Sequence, residues 1–137
     1  MLDIPIYMGV NAPLEHQRVI RKLIWQLSNL YESGKIPYEP FPEAMIDDAN
    51  SSPTPDVLLQ DNVLDKFVVI IEISGTKGFK NDFRKTSELV ENYEVNEGFV
   101  YDYKQFRWRK YKLGVGEITA NPSFCDSIGY DLNDFLK

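Results

Sequence analysis

"TPDVLLQDNVLDKFVVIIEIS", residues 54–74, decides how this chain folds. Residues 56–59 and 67–74 are apolar runs that read as two strands, separated by the polar turn "QDNVLD". The second run is apolar without alternation, the pattern of a strand covered on both faces. Two acids interrupt it. Asp56 follows Pro55 at the head of the first run, and Glu72 lies inside "VVIIEIS" near the end of the second. An ionised carboxylate in such a strand carries a desolvation cost unless a cation or a hydrogen-bond donor meets it. If the two strands pair side by side, both carboxylates converge at one end of the sheet.

Upstream, Val19, Ile20, Leu23, Ile24, Leu27, Leu30 and Tyr31 recur at the spacing of one buried helix face, which predicts a helix over residues 12–32. Asn11 is the expected N-cap, Pro13 falls in the first turn and Gly34 ends the helix. Residues 35–55 are punctuated by proline and read as extended or edge-strand material closing in the polar loop "DDANSSP". Downstream, "SGTKGFK" is a glycine-bearing loop. Phe83, Leu89, Val90 and Tyr93 then mark a second helix over residues 81–93. "GFVYDY" and "FRWRKYKL" flank Lys104 and Gln105 as a hairpin, and "SIGYDLNDFLK" reads as a short closing helix. The expected fold is α/β, a mixed sheet with a helix on either side and an antiparallel edge hairpin, in one domain over residues 1–137.

Composition narrows the function. The chain has 43% hydrophobic and 26% charged residues, ordinary for a globular protein. Cys125 is the single cysteine, which excludes an internal disulfide and a cysteine-based zinc site and suggests a reducing, cytoplasmic setting. "MLDIPIYMGV" has neither the basic start nor the long apolar core of a signal peptide, and no run is long enough to span a bilayer. The net charge of −6 argues against tight, non-specific DNA binding. There is no glycine-rich loop of the dinucleotide or nucleoside-triphosphate kind.

Two converging carboxylates suit a hard dication, Mg2+ or Mn2+, held by oxygen ligands and water. A lysine beside them would stabilise charge developing on a phosphate, and Lys77, Lys80 and Lys85 all follow Glu72 closely. The chemistry that fits is metal-assisted phosphodiester hydrolysis. "PD", a spacer and "EIS" together resemble the Pro-Asp…(Asp/Glu)-X-Lys signature of the restriction-endonuclease-like superfamily. Within it the chain is similar to a bacterial family of proposed restriction endonucleases catalogued as a domain of unknown function. "EHQRVIRKLIWQL", "PDVLL", "VVIIEIS", a lysine on the next helix, "FVYDY" and "SIGYDLNDFL" carry that resemblance in order along the chain.

The resemblance implies a central four-stranded mixed sheet flanked by helices, a homodimer and DNA as substrate. Its catalytic residues are then Asp56, Glu72 and Lys85, with Asp56 and Glu72 as the metal ligands. Ser74 stands where the signature has lysine, Asn81 stands four residues before Lys85 where the family usually has aspartate, and Lys77 is a rival to Lys85. These departures keep a second reading open, a catalytically silent relative acting as a binding or dimerisation module.

Four further features have a structural and a functional reading. His16, the only histidine, is a core or cap residue or a support for the site. Glu15 is a first-turn acid favoured by the helix dipole or a further site carboxylate. Asp102 is expected to hydrogen-bond across the hairpin. "KQFRWRKYK" is an edge strand with gatekeeping charges or a nucleic-acid contact.

Overall fold

The computed structural model describes residues 13–46 and 53–137. The Asn11 cap and most of the "DDANSSP" loop lie outside the described residues. Helix α1 spans Leu14–Glu32 and buries Ile20, Leu23 and Leu27 at the expected spacing. It ends at Gly34, whose φ of +75° places it in the left-handed region that glycine occupies without strain.

A six-stranded sheet follows the order β1 (Glu39–Pro42), β2 (Val57–Asp61), β3 (Lys66–Ser74), β4 (Glu97–Asp102), β5 (Arg107–Lys112) and β6 (Gly116–Ile118). All neighbours are antiparallel except β3 and β4, which run parallel and are joined across helix α2 (Phe79–Tyr93). The sheet is therefore mixed, as expected, and carries six strands where the resemblance implied a core of four. The proline-rich stretch supplies edge strand β1, and "GFVYDY" with "FRWRKYKL" supplies the β4–β5 hairpin.

Side-chain alternation explains the uninterrupted apolar run. Val57 and Leu59 of β2, and Val69, Ile71 and Ile73 of β3, pack with Leu23 and Leu27 of α1. Leu58 and Ile70 face the other way and pack with Val90 of α2. A strand between two helix layers has no polar face to alternate with. Glu72 has the parity of Ile70 and so belongs to the α2 side.

Gly98 makes that second layer close. A Cβ there would lie 2.7 Å from both Thr86 Cγ2 and Val90 Cγ2, so α2 rests directly on the backbone of β4. The closing segment departs from the expected helix. It is a two-stranded ribbon, β7 (Phe124–Cys125) with β8 (Tyr130–Asp131), followed by a single 3-10 helix, Leu132–Leu136. Leu132 and Phe135 are buried beside α1, and Trp108 Nε1 donates to Asn133 Oδ1 at 3.0 Å. Tertiary packing, rather than helix propensity, fixes this segment.

Candidate active site

The register of β2 on β3 builds the site. Val57 lies opposite Ile71, so the preceding pair in an antiparallel ladder is Asp56 with Glu72. The acids meet at the end where β2 begins and β3 finishes. The Asp56 amide donates to Glu72 Oε1 at 2.7 Å, and the Ile73 amide donates to Asp56 Oδ2 at 2.8 Å. Each carboxylate is thus fixed by backbone from the other acid's strand. Asp56 Oδ1 and Glu72 Oε2 accept no hydrogen bond from the described residues.

His16 joins from α1, its Nε2 3.4 Å from Asp56 Oδ2. The hydrogen bond to Asp56 is the main reason its pKa lies above the ordinary imidazole value, against a lowering by burial. Its Nδ1 is buried without a hydrogen-bond partner among the described residues, and its ring meets Tyr103 edge-on, centroids 6.2 Å apart. The apolar side of the first helix therefore brings the lone histidine to the acids as well as to the core.

Glu72 has an acidity far from that of a free glutamate. Burial, then the charge of Asp56, raise its pKa from 4.5 to about 8, with Asp82 adding to the rise. The Asp56 amide and His16 offset only part of this. Glu72 therefore holds a proton at neutral pH when no cation is present.

A pocket of ≈ 260 Å³ opens between Pro53–Pro55 and α2, lined by Glu72, Lys85, Thr86 and Asn92 among others. Lys85 reaches it from the second turn of α2 and, among the described residues, makes no ion pair. Beside Lys85, the Thr86 hydroxyl is fully buried and has no hydrogen-bond partner there. Lys77 and Lys80 are exposed on the preceding 3-10 turn and the first turn of α2. Of the three lysines, Lys85 lines this pocket with Glu72, and Lys77 and Lys80 do not.

Other candidates fall elsewhere. Glu15 is exposed and pairs with Arg18 one turn along α1. Asp102 is fully buried and accepts from Thr76 Oγ1, the amides of Lys104 and Gln105, and Arg107 Nε, as a hairpin anchor does. Burial works to raise its pKa, and these donors more than offset that, holding it below the usual carboxylate value.

The cations of β5 are occupied too. Arg107 and Arg109 lie over the rings of Phe79 and Phe83 at 4.5 and 3.9 Å. Arg109 also pairs with Glu117, and Lys112 with Asp126. Lys110 is buried against Glu97 and Asp126. That strand is built into the fold and offers no free basic stripe.

Sequence reasoning passed over Thr86 and gave Asp82 only as the acid one step after Asn81. Both sit within one turn of Lys85, at the i−3 and i+1 positions, and only the α2 packing shows which way they matter.

No protein-family model matches the chain, and no curated protein matches it. Among solved structures, it is similar to one from Anabaena variabilis ATCC 29413 described as "a putative nuclease belonging to DUF820". The TM-score is 0.65 at 13% sequence identity, over 98% of this chain and 84% of the other. The two proteins share a fold. No helix among the described residues is long and apolar enough to cross a membrane.

Proposed function

We propose that this chain is a metal-dependent endonuclease that hydrolyses phosphodiester bonds in DNA, working at the Asp56–Glu72 pair. The observation that carries the reading is the reciprocal backbone grip on these two acids, beside a pocket that Lys85 enters. The nuclease-like fold of the Anabaena protein supports it, as an analogy of fold rather than of site.

The residues suit a hard dication of the Mg2+ or Mn2+ type. Among the described residues no three His, Cys, Asp or Glu side chains cluster as a ligand set. Magnesium, however, takes one or two carboxylates, completing its shell with water and substrate phosphate. Asp56 Oδ1 and Glu72 Oε2 are the oxygens left for it. Such an ion supplies Lewis acidity and a water of lowered pKa. The Ile73 and Asp56 amides hold the two carboxylates in orientation, and His16 steadies Asp56 from the α1 side. Lys85 places a positive charge where negative charge develops on the phosphoryl oxygens.

Ser74 favours a second reading, a silent nuclease-fold relative that binds without cleaving. Its side chain is buried and its hydroxyl donates to the Gly75 carbonyl at 2.9 Å, so no ammonium stands at that position of the strand. Plasmid nicking separates the two. Wild-type protein with Mg2+ or Mn2+ should convert supercoiled plasmid to the open circle, and Asp56→Ala and Lys85→Ala should each slow this by about a hundredfold or more. Wild type as inert as Asp56→Ala would leave only the silent reading.

A further inference from the structure

Eight cations meet no carboxylate among the described residues, and four of them lie at one end of the sheet, the others being Arg21, Lys22, Lys35 and Lys66. The four cations of β5 each meet a carboxylate. Lys77, Lys80, Lys85 and Lys104 meet none among the described residues. The first three lie on the segment that leaves β3, and Lys104 lies on the turn that leaves β4. Because β3 and β4 are parallel, both segments emerge at the end where Asp56 and Glu72 meet.

The turn after β4 has a second unusual feature. Phe106 is 77% exposed and holds a φ of 56°, a left-handed conformation that a bulky side chain rarely adopts. The turn is rigidly based. Asp102 accepts the amides of Lys104 and Gln105 and is itself tied to Thr76 and Arg107, while the Tyr103 amide donates to the Ser74 carbonyl. Lys104 Nζ stands 5.5 Å from the centre of the Tyr103 ring, and that ring meets His16. An aromatic is therefore held out in water on a fixed base, beside an unpaired cation and one residue group away from the acids.

We propose that the 103–106 turn is a docking point for single-stranded nucleic acid, with Phe106 stacking on an unpaired base and Lys104 taking a neighbouring phosphate. The choice of partner rests on the nuclease reading above. A net charge of −6 opposes broad contact with a duplex backbone, so affinity has to come from a few local cations and from stacking. A base offers its face to an aromatic only when it is unstacked, which selects single strands, frayed ends or flaps.

The test is fluorescence anisotropy with the full chain in EDTA, using a labelled single-stranded oligonucleotide and the blunt duplex of the same sequence. The single strand should bind more tightly. Phe106→Ala should weaken it by roughly tenfold and leave the duplex unchanged, with Phe106→Trp restoring binding. Lys104→Gln should lower the slope of log affinity against log salt by about 0.7. Circular dichroism should show all three variants folded, since both side chains are exposed. Equal affinity of wild type and Phe106→Ala for the single strand overturns the proposal, as does no binding by wild type. Stacking at Phe106 without plasmid nicking would sink the endonuclease reading alone, and plasmid nicking by a protein whose single-strand affinity is indifferent to Phe106 would sink the docking alone.

Discussion

Asp56 and Glu72 grip one another through the main chain. The Asp56 amide donates to the Glu72 carboxylate at 2.7 Å, and the amide after Glu72 donates to the Asp56 carboxylate at 2.8 Å. Two carboxyl groups are thus held side by side, and Glu72 is the one that keeps its proton at neutral pH. The electrostatic cost is stored in Glu72, whose pKa rises to about 8. A group so poised responds to cations and to pH.

Addition of Mg2+ or Mn2+ should raise the melting midpoint by several degrees at saturation, because a ligand at a hundredfold its dissociation constant adds about 2.7 kcal/mol. The gain should be larger at pH 8 than at pH 6, since the ion displaces the proton held by Glu72. Glu72→Ala should remove the gain. A shift unchanged in that variant would place the ion elsewhere.

Without metal, stability should fall as pH rises through the neutral range. The folded state keeps Glu72 protonated to about pH 8, whereas an ordinary glutamate in the unfolded chain loses its proton near 4.5. Its contribution is therefore fully present below about pH 4.5 and is lost as pH climbs through 8. His16, also raised, adds to the loss in the same direction. Urea unfolding at pH 5 and pH 8.5 should differ by on the order of 3 kcal/mol, and Glu72→Gln should flatten the difference.

Gly98→Ala should destabilise the protein by about 1–3 kcal/mol through overpacking of α2 on β4. The new methyl would fall 2.7 Å from Thr86 and Val90, one residue and five residues past Lys85. Displacement of the helix would carry Lys85 with it, so nicking should fall more than the stability loss explains. Chemical denaturation beside the nicking assay reads both effects.

Lys110→Met tests the charge network behind the closing ribbon. Lys110 and Glu97 are 2% and 1% exposed and lie 3.1 Å apart, and Lys110 also donates to the Phe124 carbonyl and Asp126. Removal of the cation leaves Glu97 buried with only the Cys125, Asp126 and Ser127 donors, which should cost about 3–5 kcal/mol. A loss under 1 kcal/mol in urea unfolding would show that those three donors suffice.

Much of this was legible in residues 54–74. The unbroken apolar run foretold a two-sided strand, and the placement of Asp56 and Glu72 foretold that they gather at one end of the sheet; their direct opposition was not legible, because it depends on a one-residue register shift between Leu59 and Gln60. The α1 stripe was equally plain in Ile20, Leu23 and Leu27. The role of Glu15 was not, since only the Arg18 contact shows that it faces away from the acids. "SIGYDLNDFLK" misled because short polar-apolar segments are decided by what they pack on, here Trp108 and α1. "KQFRWRKYK" was read as an edge strand with gatekeeping charges or a nucleic-acid contact, and composition reveals neither that β6 covers its outer border nor that Phe79 and Phe83 lie beneath its arginines.

The outer strand β1 has the sequence Glu-Pro-Phe-Pro. Pro40 and Pro42 share one parity, so the rim turned away from β2 lacks amide donors at both positions. A second copy cannot continue the sheet across that border. Pairing of two molecules through the sheet would have to use the opposite border, β6, and strand addition from the β1 side is closed off by the chain itself.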